Sequence, residues 1–198
     1  MKNPKLIIGL FVIIIGLPIL FAYMMVQKGE RYQLKTSNHG DLIRPPVNIA
    51  NLAFYNVADK KTFDVKQLEG KWWLVYASPA KCQQTCHDIL YNIRQIRTAL
   101  GKDTPRVERL FLAHPGCPQS VCETYLSENY PDMQRLTLAD KEYETLLNQI
   151  SNSSAKDLVG ELYIIDPQGN IMMHYDADME AKSILSDLKR LLKVSKIG

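Results

Sequence analysis

The chain has 198 residues, 46% of them hydrophobic and 23% charged, with a formal net charge of +3. This length accommodates one ordinary domain and a short appendage. The net charge is too small to indicate nucleic acid as a partner.

The first predicted element is a hydrophobic helix near the amino terminus. Leu6 to Val26 contains 21 residues and no charged side chain. This is long enough to cross a bilayer as one helix, and Pro18 is tolerated in such a helix. No small-x-small cleavage motif follows the run, so the pattern favours an uncleaved anchor over a signal peptide. We predict a cytoplasmic amino terminus at residues 1–5 and one transmembrane anchor at residues 6–26.

The orientation of this anchor is predicted from the cysteines and not from the basic residues. Lys2 and Lys5 precede the helix, whereas Lys28 and Arg31 follow it, so the positive-inside rule does not decide. Four cysteines suit an oxidising compartment. The prediction is a single-pass protein of the cytoplasmic (inner) membrane whose soluble domain faces the periplasm.

Residues 27–49 are predicted to form a linker, because they are polar, include Pro45-Pro46 and show no sustained period. Residues 50–198 are predicted to form the folded domain. It begins with two short β-like segments, Ala53 to Val57 and Thr62 to Val65, whose separation by a turn-like segment indicates a hairpin.

The centre of the predicted sheet is the segment from Trp72 to Ala77. This run is mostly apolar and rich in aromatic and β-branched residues, which is typical of a strand covered on both faces. Pro79 ends the strand, and from about Cys82 apolar residues recur at helical spacing. The pattern predicts a strand, a turn and a helix, with Cys82 and Cys86 on the first turns of the helix.

The spacing of Cys82 and Cys86 indicates that the two sulfurs can act together. Four residues along a helix advance the backbone by about 6 Å, within the range of Cα separations in disulfides, and residues four apart share one face. The unpaired N–H groups of a helix start, with Lys81 beside them, favour the thiolate, most strongly at Cys82. The pair can therefore bind Cu(I) or exchange with other thiols; two structural cysteines are the alternative.

A second cysteine pair follows the next predicted strand, Val107 to Ala113, which we expect to be parallel to the first because a helix connects them. Parallel strands joined in this way end at one edge of the sheet, so the loop beginning at His114 should open near the first pair. This loop carries Cys117 and leads to Cys122 in a short helix. We interpret the second pair as a local disulfide; the alternative is a relay that exchanges electrons with the first pair or adds thiolates to bound copper.

The remaining elements complete an α/β pattern. They are a strand from Met133 to Leu138, a helix from Asp140 to Ile150, a hairpin of Glu161 to Asp166 and Asn170 to Tyr175, and a helix from Met179 to Val194. The order strand, helix, strand, helix, hairpin, helix is that of a thioredoxin-like sheet with flanking helices.

Three segments of the sequence carry a family resemblance. The segment LEGKWWLVYASPAKCQQTC resembles the strand and C-x-x-x-C signature of the Sco/SenC family, membrane-tethered proteins that help to mature the copper site of cytochrome oxidase. LYIIDPQGNI resembles the Y-L-I-D-P-x-G hairpin of that family. CHDILYNIRQIRTALGKDTPRVERLFL is similar to a bacterial branch of Sco-like, single-span proteins associated with cytochrome oxidase biogenesis. The similarity covers residues 50 to 192.

The resemblance implies that Cys82 and Cys86 are the copper-binding, redox-active cysteines, and that copper is the cofactor. It does not supply the third ligand, because the position nine residues before the hairpin proline, where the family has a histidine, is Leu158. The interval Gln83-Gln84-Thr85 also departs from the usual Pro-Asp-Val. Two thiolates suit Cu(I), whereas Cu(II) prefers nitrogen beside sulfur.

Three other histidines are candidates for the missing ligand. His87 follows Cys86 but points about 100° round the helix, and His174 is expected across the hairpin from about Leu162. His114 is the best candidate, since it leaves the second strand at the edge where the first pair is expected. A surface or structural role is the default for each.

Basic residues are frequent after the first cysteine pair, and five of them are predicted to form a solvated face: Arg94, Arg97, Lys102, Arg106 and Arg109. A docking surface for a partner is the alternative interpretation.

Three functions are compatible with this pattern. In a thiol-disulfide reductase, Cys82 would attack a disulfide in an oxidase subunit or a copper chaperone, and Cys86 would resolve the mixed disulfide. In a copper carrier, the pair would hold Cu(I) and transfer it by ligand exchange. The third function is a non-catalytic assembly scaffold with structural disulfides. The missing histidine favours the reductase, with the membrane and a cytochrome oxidase subunit or copper chaperone as partners.

Overall fold

The computed structural model describes residues 4–29, 37–151 and 159–197. The chain divides at residue 37 into two units, of which the first contains the helix α1 (Pro4–Gly29). The large apolar side chains of α1 between residues 10 and 24 are exposed. Across the described ranges, none of the helices combines the length and the apolar character that a membrane crossing requires. The transmembrane anchor at residues 6–26 therefore stays a prediction from the sequence.

The second unit is built on a mixed sheet, which has eight strands within the described residues. The strands are β1 (Asp41–Asn48), β2 (Phe54–Asn56), β3 (Thr62–Phe63), β4 (Trp72–Ala77), β5 (Val107–Ala113), β6 (Gln134–Thr137), β7 (Leu162–Ile165) and β8 (Asn170–Tyr175). Their order across the sheet is β1-β8-β7-β4-β5-β6-β2-β3. The strands β4, β5 and β6 are parallel, and the hairpin of β7 and β8 adds to β4 in the antiparallel direction.

The central strand is β4, and its six side chains are all buried. Trp72, Leu74 and Tyr76 face one core cluster, and the three alternating residues face the other. The prediction of a strand covered on both faces is confirmed. Because both faces are packed, the position of the strand end, and of the cysteines that follow it, is strongly constrained.

Helices cover the two faces of the sheet. The helices α2 (Gln84–Thr98) and α5 (Ala181–Val194) contribute to the first core cluster, together with the short helix α3 (Leu126–Asn129). On the other face, α4 (Asp140–Ser151) packs Tyr143, Leu146 and Ile150 into the second cluster. In α2 the apolar side chains recur every three or four residues, which places them on the face that meets the sheet.

The predicted linker at residues 27–49 is wrong over β1, which pairs with β8 in the antiparallel direction. Ile43 and Val47 of this strand are buried. The prolines conceal the strand in the sequence, and they are tolerated because β1 is at the edge of the sheet and the register shifts between Leu42 and Val47. The hairpin of β2 and β3 is present as predicted, but it lies at the opposite edge, beside β6.

The predicted solvated basic face is also wrong in part. Arg109 is 2% exposed and contacts Asp132. Arg97 pairs with Glu108 at 2.9 Å, and Arg106 donates to the carbonyl oxygen of Leu192 at 2.9 Å. Guanidinium groups have enough donors to bridge elements at the rim of a core, and composition alone does not reveal such a role.

Candidate functional site

The first cysteine pair is a disulfide at the amino-terminal end of α2. The Cα atoms of Cys82 and Cys86 are 5.2 Å apart. Gln83 is the residue before the first helical turn, so Cys82 precedes the helix and Cys86 lies within its first turn. The prediction that both cysteines occupy helical turns is therefore wrong for Cys82, and Cys86 is the cysteine closest to the unpaired N–H groups of the helix start.

The two sulfur-bearing residues differ in accessibility. Cys86 is 2% exposed and belongs to the core cluster beneath α2, whereas Cys82 is half-buried at the rim of that cluster. The helical pattern requires this arrangement, because Cys86 shares the inward face with Ile89, Leu90 and Ile93. A reagent from solvent would therefore meet Cys82 first.

The second cysteine pair is also a disulfide, between Cys117 and Cys122, with Cα atoms 6.2 Å apart. A tight turn precedes it, in which the Cys117 amide donates to the His114 carbonyl oxygen at 2.8 Å. Cys122 is in a π-helical turn, Ser120–Tyr125, that continues into α3. This is the pairing of the local-disulfide interpretation.

The loops that carry the two pairs leave the same edge of the sheet. The amide of Ser78, directly after β4, donates to the carbonyl oxygen of Leu112 in β5 at 2.9 Å. The Ser78 hydroxyl in turn accepts from the amide of His114 at 3.3 Å. The parallel pairing of β4 and β5 thus brings both loops to the same end of the sheet, beyond the carboxyl ends of the two strands, as the topology predicts.

The imidazole of His114 packs against Tyr143 of α4, with ring centroids 5.1 Å apart. Its Nδ1 atom accepts a hydrogen bond from the Gly116 amide at 2.9 Å. His114 does not join Cys82 and Cys86 in a group of three potential metal ligands within the described part of the chain. Its role as a ligand of that pair stays a prediction, and Leu158, at the position of the family histidine, lies outside the described residues.

The other two candidate histidines contact aromatic or acidic side chains. His87 packs its ring against Tyr125 at a centroid distance of 4.7 Å. His174 lies opposite Tyr163 in the hairpin, one residue from the predicted partner, and its Nε2 atom is 3.2 Å from Glu161 and 3.4 Å from Asp176. This is the one group of three potential ligands in the described ranges. The sequence pattern did not reveal this group because Glu161 precedes β7 and Asp176 follows β8, although the predicted hairpin already brought those strands together.

The domain also contains a buried carboxylate that was not predicted from the sequence. Asp187 of α5 is 2% exposed and accepts hydrogen bonds from the amides of His39 and Gly40, at 2.8 and 3.0 Å. It also accepts from the Tyr175 hydroxyl at 3.3 Å, and burial together with this carboxylate raises the pKa of Tyr175 far above its usual range. An aspartate in the middle of the apolar face of a helix is the sequence feature that could have indicated this buried carboxylate.

With the geometry described, comparison with known proteins identifies the family. The family model for the transmembrane-like, thioredoxin-like, C-terminal domain matches residues 72–195. The chain belongs to this family. No curated protein sequence matches it.

Solved structures show that this thioredoxin-like domain has the fold of Sco proteins. Yeast Sco1 with copper bound aligns with a TM-score of 0.60 and 18% identity, over 80% of this chain and 90% of that one. Arabidopsis thaliana ScoI with copper bound gives 0.59 and 16%, over 73% and 97%. BsSco, a member of the Sco family of cytochrome c oxidase assembly proteins in which a disulfide switch was identified, gives 0.56 and 20%, over 78% and 100%.

The chemistry available to the thioredoxin-like domain follows from its two disulfides. The cysteines of the two disulfides are separated by 4 and 5 positions in the sequence. Each disulfide has one half-buried and one buried cysteine. Because exchange requires attack on a sulfur that a thiolate can reach, the half-buried members, Cys82 and Cys117, are the positions where such chemistry can begin.

Proposed function

We propose that this chain is a membrane-tethered thiol-disulfide reductase that acts through Cys82 and Cys86 in the copper-site maturation pathway of cytochrome c oxidase. The proposal is supported by the fold shared with Sco proteins, one of which, BsSco, is a cytochrome c oxidase assembly protein with a disulfide switch. The tether is proposed from the sequence, in which Leu6 to Val26 is a run of 21 residues without a charged side chain. The cysteine content supports a domain that faces the oxidising periplasm.

The observation that carries the proposal is the asymmetry of the first cysteine pair at the start of α2. Cys82 is half-buried, whereas Cys86 is buried and lies in the first helical turn. The accessible Cys82 is therefore suited to attack a substrate, and Cys86 is suited to resolve the product. The N–H groups of the helix start can stabilise negative charge on Sγ of Cys86, which makes Cys86 the leaving group when a donor attacks Cys82 and reduces the pair.

The reaction begins from the reduced pair. The Cys82 thiolate attacks one sulfur of a substrate disulfide, and the other substrate sulfur leaves as a thiolate. Sγ of Cys86 then attacks Sγ of Cys82, which breaks the mixed disulfide and releases the second substrate thiolate. The substrate gains two electrons, and the protein returns to the Cys82–Cys86 disulfide described above. A dithiol donor must reduce this disulfide before the next cycle.

Copper delivery is the second candidate function, and the copper-bound Sco structures favour it. When reduced, Cys82 and Cys86 would offer two thiolates from residues whose Cα atoms are 5.2 Å apart, a donor set that suits Cu(I). The described residues add no third ligand to this pair. The donor set fits transient Cu(I) cargo better than a stable Cu(II) centre, which is why we place the reductase first. If neither activity is found, the scaffold function remains.

The decisive experiment is to trap the mixed disulfide. Cys86→Ser in the full chain, expressed in its membrane, should accumulate a disulfide-linked adduct to the substrate, because the resolving sulfur is absent. Cys82→Ser should not, although it removes the same disulfide and so controls for lost stability. Equal trapping by both variants, or trapping by neither, would contradict the assignment of Cys82 as the nucleophile.

A further inference from the structure

The second disulfide borders an open pocket of about 230 Å³ at the edge where the loop after β5 meets the start of α4. We propose that Cys117–Cys122 is a second thiol-disulfide exchange site, at which an incoming thiolate attacks Sγ of Cys117. The inference is independent of the reductase role of Cys82 and Cys86, neither of which lines this pocket.

The pocket provides the access that exchange requires. Its lining includes His114, Cys117 and Cys122, together with Lys60, Thr137 and Asp140. Since a water molecule takes up about 30 Å³ in the liquid, the space accommodates a cysteine side chain with part of its backbone. A disulfide that only clamps a loop has no need of such a space, whereas exposed disulfides are the labile or catalytic ones.

The burial of the two sulfurs decides where the attack occurs. Cys122 is 1% exposed and is packed in the core cluster, whereas Cys117 is half-buried at its rim. The entering thiolate forms a bond to Sγ of Cys117, the Cys117–Cys122 bond breaks, and Cys122 leaves as a thiolate. A second thiol from the same donor then attacks the mixed disulfide, so the donor is oxidised by two electrons and the pair is reduced. The substrate class is thus a thiol, supplied by a small molecule or by a protein dithiol.

The backbone around the pair is held independently of the disulfide. The turn at Cys117 is closed by its hydrogen bond to the His114 carbonyl oxygen, and the amide of Cys122 donates to the Pro118 carbonyl oxygen at 3.0 Å. Cys122 also lies in a π-helical turn, a feature that is rare and frequent at functional sites. The disulfide can therefore open while its two segments keep their hydrogen bonds.

Two side chains in the pocket favour an anionic sulfur. Nδ1 of His114 accepts the Gly116 amide proton, so the neutral ring carries its own proton on Nε2, where it can donate a hydrogen bond to a thiolate. Lys60 also lines the pocket and contributes a positive charge, which balances the negative charge of Asp140. These groups stabilise the entering thiolate and position it beside Cys117.

The test uses the full chain with Cys82→Ser and Cys86→Ser, which removes the first pair and makes failure here distinguishable from failure of the proposed reductase. The chain is exposed to reduced glutathione or to a peptide containing Cys-x-x-Cys, and free thiols are trapped by alkylation and located by mass spectrometry. We expect Cys117–Cys122 to open while circular dichroism reports a folded domain. Opening by glutathione assigns a small thiol, and opening by the peptide alone assigns a protein dithiol. A pair that stays oxidised until the domain unfolds would overturn the proposal.

Variants in the same background identify the attacked sulfur. Cys122→Ser should form a mixed disulfide with glutathione at Cys117 about tenfold faster than Cys117→Ser forms one at Cys122, because the latter sulfur is buried. His114→Gln keeps both cysteines and should slow opening severalfold, which a merely structural clamp would not predict. Equal reactivity of the two single-cysteine variants would contradict attack at Cys117.

Discussion

The imidazole of His87 lies edge-on against the phenol ring of Tyr125, with ring centroids 4.7 Å apart and the planes at 74°. His87 follows Cys86 in α2, and Tyr125 ends the π-helical turn that carries Cys122. The contact therefore joins the two cysteine-bearing segments of the domain.

We expect this ring pair to stabilise the domain. Edge-on aromatic pairs contribute about 0.5–1.5 kcal/mol beyond their buried area. A double-mutant cycle of His87→Ala and Tyr125→Leu, measured by urea unfolding of the full chain, should give a coupling free energy in this range. Tyr91→Leu is the matched control, because Tyr91 is on the same helix and 58% exposed. Coupling between His87 and Tyr125 no larger than that between His87 and Tyr91 would contradict the prediction.

Replacing the buried carboxylate of Asp187 should strongly reduce stability. Asp187→Ala leaves the buried amide of Gly40 and the part-buried amide of His39 without their acceptor, while the Tyr175 hydroxyl keeps only the Met173 sulfur. A buried donor left unpaired costs about 1–3 kcal/mol, so the free energy of unfolding should fall by at least about 2 kcal/mol. Asp178→Ala, at an exposed position before α5, is the control. A loss as small as that of the control would show that the Asp187 hydrogen bonds contribute little.

The ion pair of Arg109 and Asp132 should make stability depend on acid pH. Partial burial pushes the pKa of Asp132 upward, but the hydrogen bond and charge of Arg109 outweigh it, so the pKa is lowered overall. The ionised carboxylate thus stabilises the fold above its unfolded pKa of about 3.9, and this contribution is lost as the pH falls through the folded pKa.

Urea unfolding of the wild type and of Asp132→Asn measures this contribution. The wild type should be the more stable at neutral pH, and the difference should shrink as the pH is lowered below about 4. Glu128→Gln, at an exposed position, should show no such convergence. A difference between wild type and Asp132→Asn that persists unchanged to the lowest pH would rule out the ion pair as its source.

Copper titration separates the two candidate functions of the first pair. Two thiolates should bind Cu(I) in competition with a chelator, and Cys82→Ser should weaken this binding by at least about tenfold because one soft ligand is lost. Cys117→Ser is the matched control and should bind as the wild type. If Cys82→Ser binds Cu(I) as well as the wild type does, the carrier function is eliminated.

The missing nitrogen ligand predicts weak Cu(II) binding by the wild type. Leu158→His restores the residue found in the Sco/SenC pattern, and it should raise Cu(II) affinity because imidazole suits that ion. Leu158→Asn is a control for polarity without an imidazole, and spectroscopic titration of the reduced protein provides the measurement. Wild-type Cu(II) affinity equal to that of Leu158→His would show that another residue already supplies the ligand.

Much of the fold was predictable because local patterns were strong. Trp72–Ala77 is a buried strand, Val107–Ala113 pairs with it in parallel, and the turn at Pro167 joins two antiparallel strands, all as predicted. Each follows from periodicity or from a short connection. The strand β1 was missed because its prolines are typical of a linker, and only its position at the sheet edge permits them.

The two cysteine pairs were predictable from the sequence, whereas their surroundings were not. Cys82 with Cys86, and Cys117 with Cys122, are close in sequence, so their pairing needs little long-range information. The roles of their neighbours depend on side chains from distant elements. His114, for example, lines the pocket of the second pair and packs its ring against Tyr143 of α4.

The sequence by itself determined the thioredoxin-like order of elements and the spacing of both cysteine pairs, because these depend on hydrophobic periodicity and on residues four or five positions apart. Only the tertiary structure decided which sulfur of each pair faces solvent, that Arg109 and Asp187 are buried, and that the second disulfide borders a pocket. The helical pattern already turns Cys86 inward, but the exposure of the half-buried Cys82 and Cys117 results from packing between elements that are distant in the chain.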